Sequence, residues 1–321
     1  MRSVLITGGA GFVGRNVVRH LLRHWPDVNI LIVDNLSEDP DGMTKLGKLA
    51  DDVRFHQADI RDWLRTKGGE RFDLVVHLAA VVGGRQKIES QPLAVATDLA
   101  IDADVIAAVE AGLADDLMFF SSSAAYPTIC QIRECDMVLA EELVNFESGR
   151  IGTPDMTYGW AKLTGEYLCS FMQRARATIF RPFSGYGNDQ LPTYPFPAIM
   201  RRVAGGEDPV VVWGTGEQSR DWIYIEDAIR MAFELWLDHP GGTYNIGTGI
   251  RTTFAEFAVL AGEVCGRPVT VKPDITKPEG VYQRVADMRR VHKLGVQATC
   301  GLKDGMARWL DSHTAEGADG I

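Results

Sequence analysis

Tyr158 and Lys162 stand four apart in Tyr158-Gly159-Trp160-Ala161-Lys162, which opens a helical pattern continuing through Leu163, Tyr167 and Phe171. On a helix that spacing puts both side chains on one face. An ammonium beside a phenol lowers the phenol's pKa towards the range in which it exchanges protons near neutrality. Upstream, Ser121-Ser122-Ser123-Ala124-Ala125-Tyr126-Pro127 closes a strand-like run, Leu117-Met118-Phe119-Phe120. A hydroxyl from that strand end would hydrogen-bond the same reacting oxygen. Such a trio takes a proton from a carbinol, provided that something else takes the hydride.

The first residues point to that acceptor. Thr7-Gly8-Gly9-Ala10-Gly11-Phe12-Val13-Gly14 follows the apolar run Val4-Leu5-Ile6 and opens a helical pattern through Val17, Val18, Leu21 and Leu22. Gly8 and Gly11 allow a sharp turn and close approach of a ligand, and Gly14 allows the helix to pack on the strand. The helix N-terminus then suits a pyrophosphate. A second apolar run, Ile30-Leu31-Ile32-Val33, ends in Asp34, placed to hydrogen-bond an adenosine ribose. Its carboxylate would repel a 2′-phosphate, so the cofactor expected is NAD.

The elements that must position these groups alternate between strand and helix, the pattern of a parallel doubly wound α/β sheet. A third strand is expected near Val53-Arg54-Phe55, with Asp59-Ile60 at its end beside the adenine. Phe72-Asp73-Leu74-Val75-Val76-His77 reads as the fourth strand and runs into Leu78-Ala79-Ala80. A helix is expected from about 92 to 111, then the fifth strand, then a loop of about thirty residues of the kind that is usually functional.

Together these features resemble the extended short-chain dehydrogenase/reductases, and among them the NAD-dependent nucleotide-sugar epimerases and dehydratases. The resemblance runs to about residue 310. It implies a Rossmann domain over 1–181, a smaller α/β substrate domain mainly over 182–311 with segments returning to the first sheet, and a frayed tail over 312–321. It implies Tyr158 as catalytic acid/base, Lys162 as its electrostatic partner and a ribose ligand, and Ser122, four before Tyr126, as the hydroxyl orienting the sugar. The NAD contacts implied are Gly8, Gly11, Phe12, Val13, Gly14, Asp34, Asn35, Asp59 and Ile60. Leu78, Ala79 and Ala80 complete them with Tyr158 and Lys162. For the sugar nucleotide they are Gly83, Gly84, Ser122, Ser123, Ser184, Arg220 and Arg284. Arg220 falls in Gly214-Thr215-Gly216-Glu217-Gln218-Ser219-Arg220-Asp221-Trp222, which resembles the family's substrate-domain hairpin.

Gly83-Gly84, Tyr126-Pro127 and Pro278-Glu279-Gly280-Val281 most resemble GDP-mannose 3,5-epimerases and GDP-fucose synthases. Those enzymes carry a cysteine acid/base two residues after the catalytic serine, and here that residue is Ala124. Dehydratases carry Asp-Glu where Ser123-Ala124 stand. Relatives carry Asn where Ser184 stands and near Asp98-Leu99. What remains is chemistry needing only Tyr158, Lys162, Ser122 and the nicotinamide: a 4-epimerase or 4-dehydrogenase passing through a 4-keto sugar. The alternatives are a 3,5-epimerase/reductase and a dinucleotide-binding sensor without turnover.

A chain of 321 residues with formal net charge −10 has room for a large core and little attraction for nucleic acid or an anionic membrane. No uncharged apolar run approaches the roughly 18 residues of a membrane span, and Met1-Arg2-Ser3 leads into a strand with no signal-peptide apolar region. The five cysteines are odd in number and scattered, as in reduced cytoplasmic proteins, and the seven histidines show no ligand spacing, so no metal is expected. The partners expected are a GDP- or UDP-sugar and a second copy of the chain, joined through the helices near 92–111 and 158–174.

Overall fold

Short runs of Val, Leu, Ile and Phe become strands covered on both faces, and the amphipathic stretches between them return as helices. A computed structural model describes residues 1–66, 68–81, 85–135 and 137–316. The chain begins with β1 (Ser3–Thr7), α1 (Phe12–His24), β2 (Asn29–Asp34), β3 (Arg54–Gln57), α2 (Ile60–Thr66) and β4 (Phe72–His77). It continues through α3 (Arg85–Ser90), α4 (Pro92–Val95), α5 (Asp98–Ala108), β5 (Ala114–Phe120), α6 (Met156–Cys169), β6 (Arg176–Pro182) and β7 (Ser184–Tyr186). Then come α7 (Pro195–Ala204), β8 (Val210–Trp213), β9 (Ser219–Tyr224), α8 (Ile225–Asp238), β10 (Thr243–Ile246) and β11 (Arg251–Thr253). The last elements are α9 (Phe254–Val264), β12 (Val271–Asp274), β13 (Gln283–Arg284), α10 (Arg289–Lys293) and α11 (Leu302–Glu316). No helix among the described residues is long and apolar enough to cross a membrane.

Seven strands form one parallel sheet in the order β10-β6-β5-β4-β1-β2-β3. Strand order reverses at β1 and β4, where Val4 to Thr7 lie beside Leu74 to His77. Open α/β sheets hold ligands outside the carboxyl ends of the strands at such a reversal. Thr7, Asp34, His77 and Phe120 all end strands there.

The residues gather into two compact units, each assembled from separate stretches. The first comprises Met1–Pro127, Leu143–Pro182 and Ile229–Tyr244, and the second comprises Thr128–Glu142, Phe183–Ala228 and the chain from Asn245 on. In the first, Leu5, Val75 and Leu117 of the sheet meet Ile101 and Val105 of α5 and Cys169 of α6 in one core. In the second, Tyr186, Phe196, Trp222, Phe257 and Trp309 form an aromatic core.

Three expectations are corrected. The helix foreseen near 92–111 is broken into α4 and α5, and ends in a wide turn, Val109–Leu113, where Gly112 has φ 105°. The segment resembling a hairpin is not one: β8 pairs with β12, while β9 pairs with β7, β11 and β13 in another sheet. The polar tail does not fray at Ser312, because α11 continues to Glu316.

A buried clamp fixes α6 against the sheet. Arg181 of β6 donates from Nε and Nη2 to the two carboxylate oxygens of Glu166 at 2.9 and 2.5 Å. The Ser121 hydroxyl donates to the same carboxylate, and the guanidinium lies 4.7 Å from the centre of the Tyr126 ring. Breaking a buried pair strands the other charge, at a cost of about 3–5 kcal/mol. Arg181→Met is therefore expected to lose stability on that scale in urea unfolding, and Arg181→Met with Glu166→Leu to recover part of it.

Candidate active site

The glycine turn closes β1 against the end of β4. Gly8 has φ 69°, and a Cβ there would lie 2.7 Å from the backbone nitrogen of Ala79. Gly11 caps α1 with no side-chain hydrogen bond, and the first turn, where Phe12, Val13 and Gly14 lie, carries no acid. Amides at such an end are ready for an anion. Asp34, at the end of β2, accepts from the amide of Ala10 in the glycine turn at 3.0 Å and from that of Leu36 at 2.8 Å. Burial raises its pKa against the pull of those two amides. Asn35 accepts from the Ser37 amide at 3.0 Å.

After β4, the Leu78 and Ala79 amides both donate to Thr7 Oγ1 at 3.2 Å, and Ala80 follows. Asp59 is tied to Arg61 and held below the ordinary carboxylate range chiefly by that contact. The Ile60 side chain is buried in the core. A bare glycine turn, an uncapped helix start and a carboxylate ending the second strand fit NAD: diphosphate at the first two, ribose at the third.

Close packing of α6 on the end of β5 assembles the reactive groups. A Cβ on Gly159 would lie 2.4 Å from the carbonyl oxygen of Ala124, which accepts from the Asp155 amide at 2.9 Å. Ser122 and Tyr158 are thereby brought together. The Ser122 and Tyr158 hydroxyls share a hydrogen bond, and Ser122 Oγ accepts from the Ala124 amide at 3.1 Å. Lys162, 3% exposed, lies on the same helix with its Nζ 3.4 and 3.5 Å from the two carboxylate oxygens of Asp102. Burial opposes its charge, yet Asp102, Tyr158 and Asp98 together hold its pKa above the ordinary lysine value.

One expectation about Tyr158 is overturned. Its pKa is raised, not lowered: burial is the largest influence and, with Asp98 and Asp102, it outweighs the pull of Lys162. The resting phenol is protonated.

Ser123 and Ala124 are both buried in a short turn, and neither carries an acid or a thiol. Gly83 and Gly84 lie outside the described residues. Ser184, Arg220 and Arg284 all belong to the second unit, on β7, β9 and β13, with Arg284 directly beside Arg220. Arg220 donates to the carbonyls of Ser219 and Val281 at 2.7 and 3.0 Å, and Arg284 to Gln131 Oε1 at 2.7 Å. No group of three or more metal-ligating side chains occurs among the described residues.

Thr7, His77 and Asp102 escape a reading of the sequence, although one signal is there. Asp98 and Asp102 are four apart on a helix whose other buried positions include Ile101, Val105 and Ile106. Two acids in an apolar stripe call for buried partners.

Asp98 is wholly buried; one oxygen accepts from the Val81 amide at 2.5 Å and the other has no partner among the described residues. Burial, the leading cause, raises its pKa from 3.8 to about 6. Above an ordinary carboxylate's range the folded protein still binds this proton, so wild-type stability falls as pH rises from about 4 to about 6. Relative to wild type, Asp98→Asn is expected to gain about 3 kcal/mol across that window and nothing further above pH 7. Urea midpoints at pH 4.5, 6 and 7.5 read this directly; a constant difference contradicts it.

Residues 4–247 match the model of the NAD dependent epimerase/dehydratase family. The chain is 26% identical to GDP-L-fucose synthase of Escherichia coli, over 95% of this chain and 94% of that one. It is also 26% identical to dTDP-4-dehydro-6-deoxy-D-allose reductase of Streptomyces bikiniensis, over 98% and 97%. UDP-glucose 4-epimerase of Thermotoga maritima, solved with UDP-glucose, shares the fold with a TM-score of 0.82 at 23% identity, covering 98% of this chain and 99% of that one. With its parallel sheet, its glycine turn and its Tyr158–Lys162 pair, this chain belongs to the NAD dependent epimerase/dehydratase family.

Proposed function

We propose that the chain exchanges hydride at C4 of the hexose of a nucleotide sugar, as an NAD-dependent 4-epimerase or 4-dehydrogenase passing through a 4-keto sugar. The observation that carries this reading is the joining of Ser122, Tyr158 and Lys162 in one cluster, with no acid or thiol on the two residues after Ser122. Such a site handles a hydroxyl proton and has no group there for proton abstraction from sugar carbon.

Tyr158 takes the C4 hydroxyl proton, Ser122 holds the same oxygen by a hydrogen bond, and the Lys162 ammonium stabilises the phenolate. NAD, when bound, supplies the hydride acceptor and a positive ring that favours the phenolate. In the reverse direction the protonated phenol is already the acid that a 4-keto oxygen needs. This suits a reductase as well, the activity in the name of the Streptomyces bikiniensis relative. Arg220 and Arg284 are the diphosphate ligands in this reading. The base follows from assay, since relatives of this chain are named for GDP- and dTDP-sugars and a structural neighbour was solved with a UDP-sugar.

The test is incubation with NAD and UDP-glucose, UDP-glucuronate, GDP-mannose or dTDP-glucose, followed by chromatography of the sugar nucleotide and absorbance at 340 nm. One of the four is expected to be converted, and Tyr158→Phe to lose about 10²- to 10⁴-fold in turnover while still binding NAD. Tight NAD binding with no conversion of any of them, nor of their 4-keto forms with NADH, would establish the sensor reading instead.

A homodimer belongs to the same proposal. Trp160 and Tyr167, seven apart on α6, are 44% and 45% exposed, and Phe171 just beyond is 61% exposed. An aromatic stripe of this kind suits a second copy of itself. Light scattering is expected to give twice the chain mass for wild type and a monomer for Trp160→Glu with Phe171→Glu.

A further inference from the structure

Lys162 is held by more than its own helix. Asp102, whose two oxygens flank Nζ, also accepts at Oδ1 from Nε2 of His77 at 2.9 Å. On the far side of the ring, Nδ1 lies 2.6 Å from Oγ1 of Thr7. Thr7 Oγ1 already accepts from the amides of Leu78 and Ala79. A hydroxyl has two acceptor sites and one proton, so that proton goes to Nδ1. The tautomer assigned by this network has Nδ1 accepting and Nε2–H donating to Asp102. Burial keeps the ring neutral. Thr7, His77 and Asp102 are each 1% exposed or less.

The arrangement is that of a braced counter-ion. His77 spends its one proton on Asp102, which fixes the carboxylate so that both oxygens face Nζ at nearly equal distance. At 3.4 and 3.5 Å the contact is longer than an ordinary hydrogen bond. The ammonium is thus held by charge together with two long hydrogen bonds. The titratable groups around Lys162 are Asp98 and Asp102 from α5, His77 from β4, and Tyr158 and Cys169 from α6; of these Asp102 acts on it most strongly. Thr7 is the last residue before the glycine turn, so the chain of contacts joins the lysine to the strand that carries that turn.

We propose that Asp102, braced by His77 and Thr7, is the positioning residue of this active site, holding and orienting the Lys162 ammonium on the face of α6 that carries Tyr158. The proposal rests on Lys162 serving Tyr158. It adds that the lysine's charge depends on a residue sixty positions away on another helix.

The experiment is a double-mutant cycle in folding stability, read against pH. Urea unfolding of the protein as purified is measured at pH 7, 8.5 and 10 for wild type, Asp102→Asn, Lys162→Met and the double variant. In Asp102→Asn the buried ammonium keeps only the weaker pull of Asp98, and burial then takes its folded pKa below the unfolded value. The deficit against wild type is then largest at pH 7. It shrinks as pH rises, by about tenfold in the folding equilibrium constant per pH unit above the depressed pKa. In the Lys162→Met background Asp102→Asn removes a stranded carboxylate, and is expected to leave stability unchanged or raise it, by no less at pH 10 than at pH 7.

His77→Gln, which keeps an N–H donor, is expected to fall between wild type and Asp102→Asn. If Asp102→Asn alone does not fold, recovery of folded protein in the double variant supports the proposal equally. A deficit that is constant with pH and equal in both backgrounds overturns the proposal, since that is what loss of a hydrogen bond to His77 alone would give. A double variant no more stable than Asp102→Asn overturns it as well. The cycle needs no substrate. An unaltered turnover in Lys162→Met would therefore sink the catalytic reading without touching the coupling measured here.

Discussion

The close approach of α6 to the end of β5 is the contact on which the remainder of the site depends. At Gly159 the helix comes so near the Ala124 carbonyl that even a methyl group would collide with it, and at Gly165 a Cβ would lie 2.3 Å from Cζ of Phe119. Two missing side chains let the helix backbone meet the Ala124 carbonyl and the Phe119 ring, and the phenol of Tyr158 arrives beside the serine that follows the strand. Glu166, one position beyond Gly165, then anchors the helix through Arg181 and Ser121. A hydrophobic seam would fix the separation of helix and sheet but leave rotation and sliding softer; the bidentate ion pair fixes both.

Charge balance in the reactive cluster follows from that packing. One ammonium faces two buried carboxylates and a neutral imidazole, in a place where water offers little help. Asp102 stays ionised because Lys162 and His77 overcome its burial, whereas Asp98 lacks so close a partner and is pushed towards its protonated form. The phenol, last in the series, keeps its proton. The site at rest is therefore set for giving a proton, and taking one requires added positive charge. In the proposed reaction an oxidised nicotinamide beside the phenol would supply that charge and its reduced form would not.

The sequence carries the architecture near the sheet and loses it farther away. Strand ends at Thr7, Asp34, His77 and Phe120 are visible because a fully covered strand is a continuous apolar run, and the pairing of Tyr158 with Lys162 follows from helix geometry alone. The separate fates of β8 and β9 are invisible, since Val210 pairs with Val271 and no local pattern records so distant a partner. Asp102 is unreadable as a partner of Lys162 for the same reason. The sign of the Tyr158 shift is equally hidden, because spacing reports neighbours along a helix, whereas the decisive quantity is water excluded by the surroundings. Arg220 and Arg284 emerge as neighbours only through the register of β9 with β13.

The interleaving of the two units has a bearing on how the chain comes into being. β6 ends at Pro182, but the strand that covers its free side, β10, ends only at Ile246, after much of the other unit has been synthesised. At ribosomal rates of about 5–20 residues per second, that edge stays open for several seconds on every nascent chain. Ile179 and Phe180 lie along it. An unpaired apolar strand edge is a template for other chains, so biosynthesis of this enzyme passes through a window in which its own sheet is open to them.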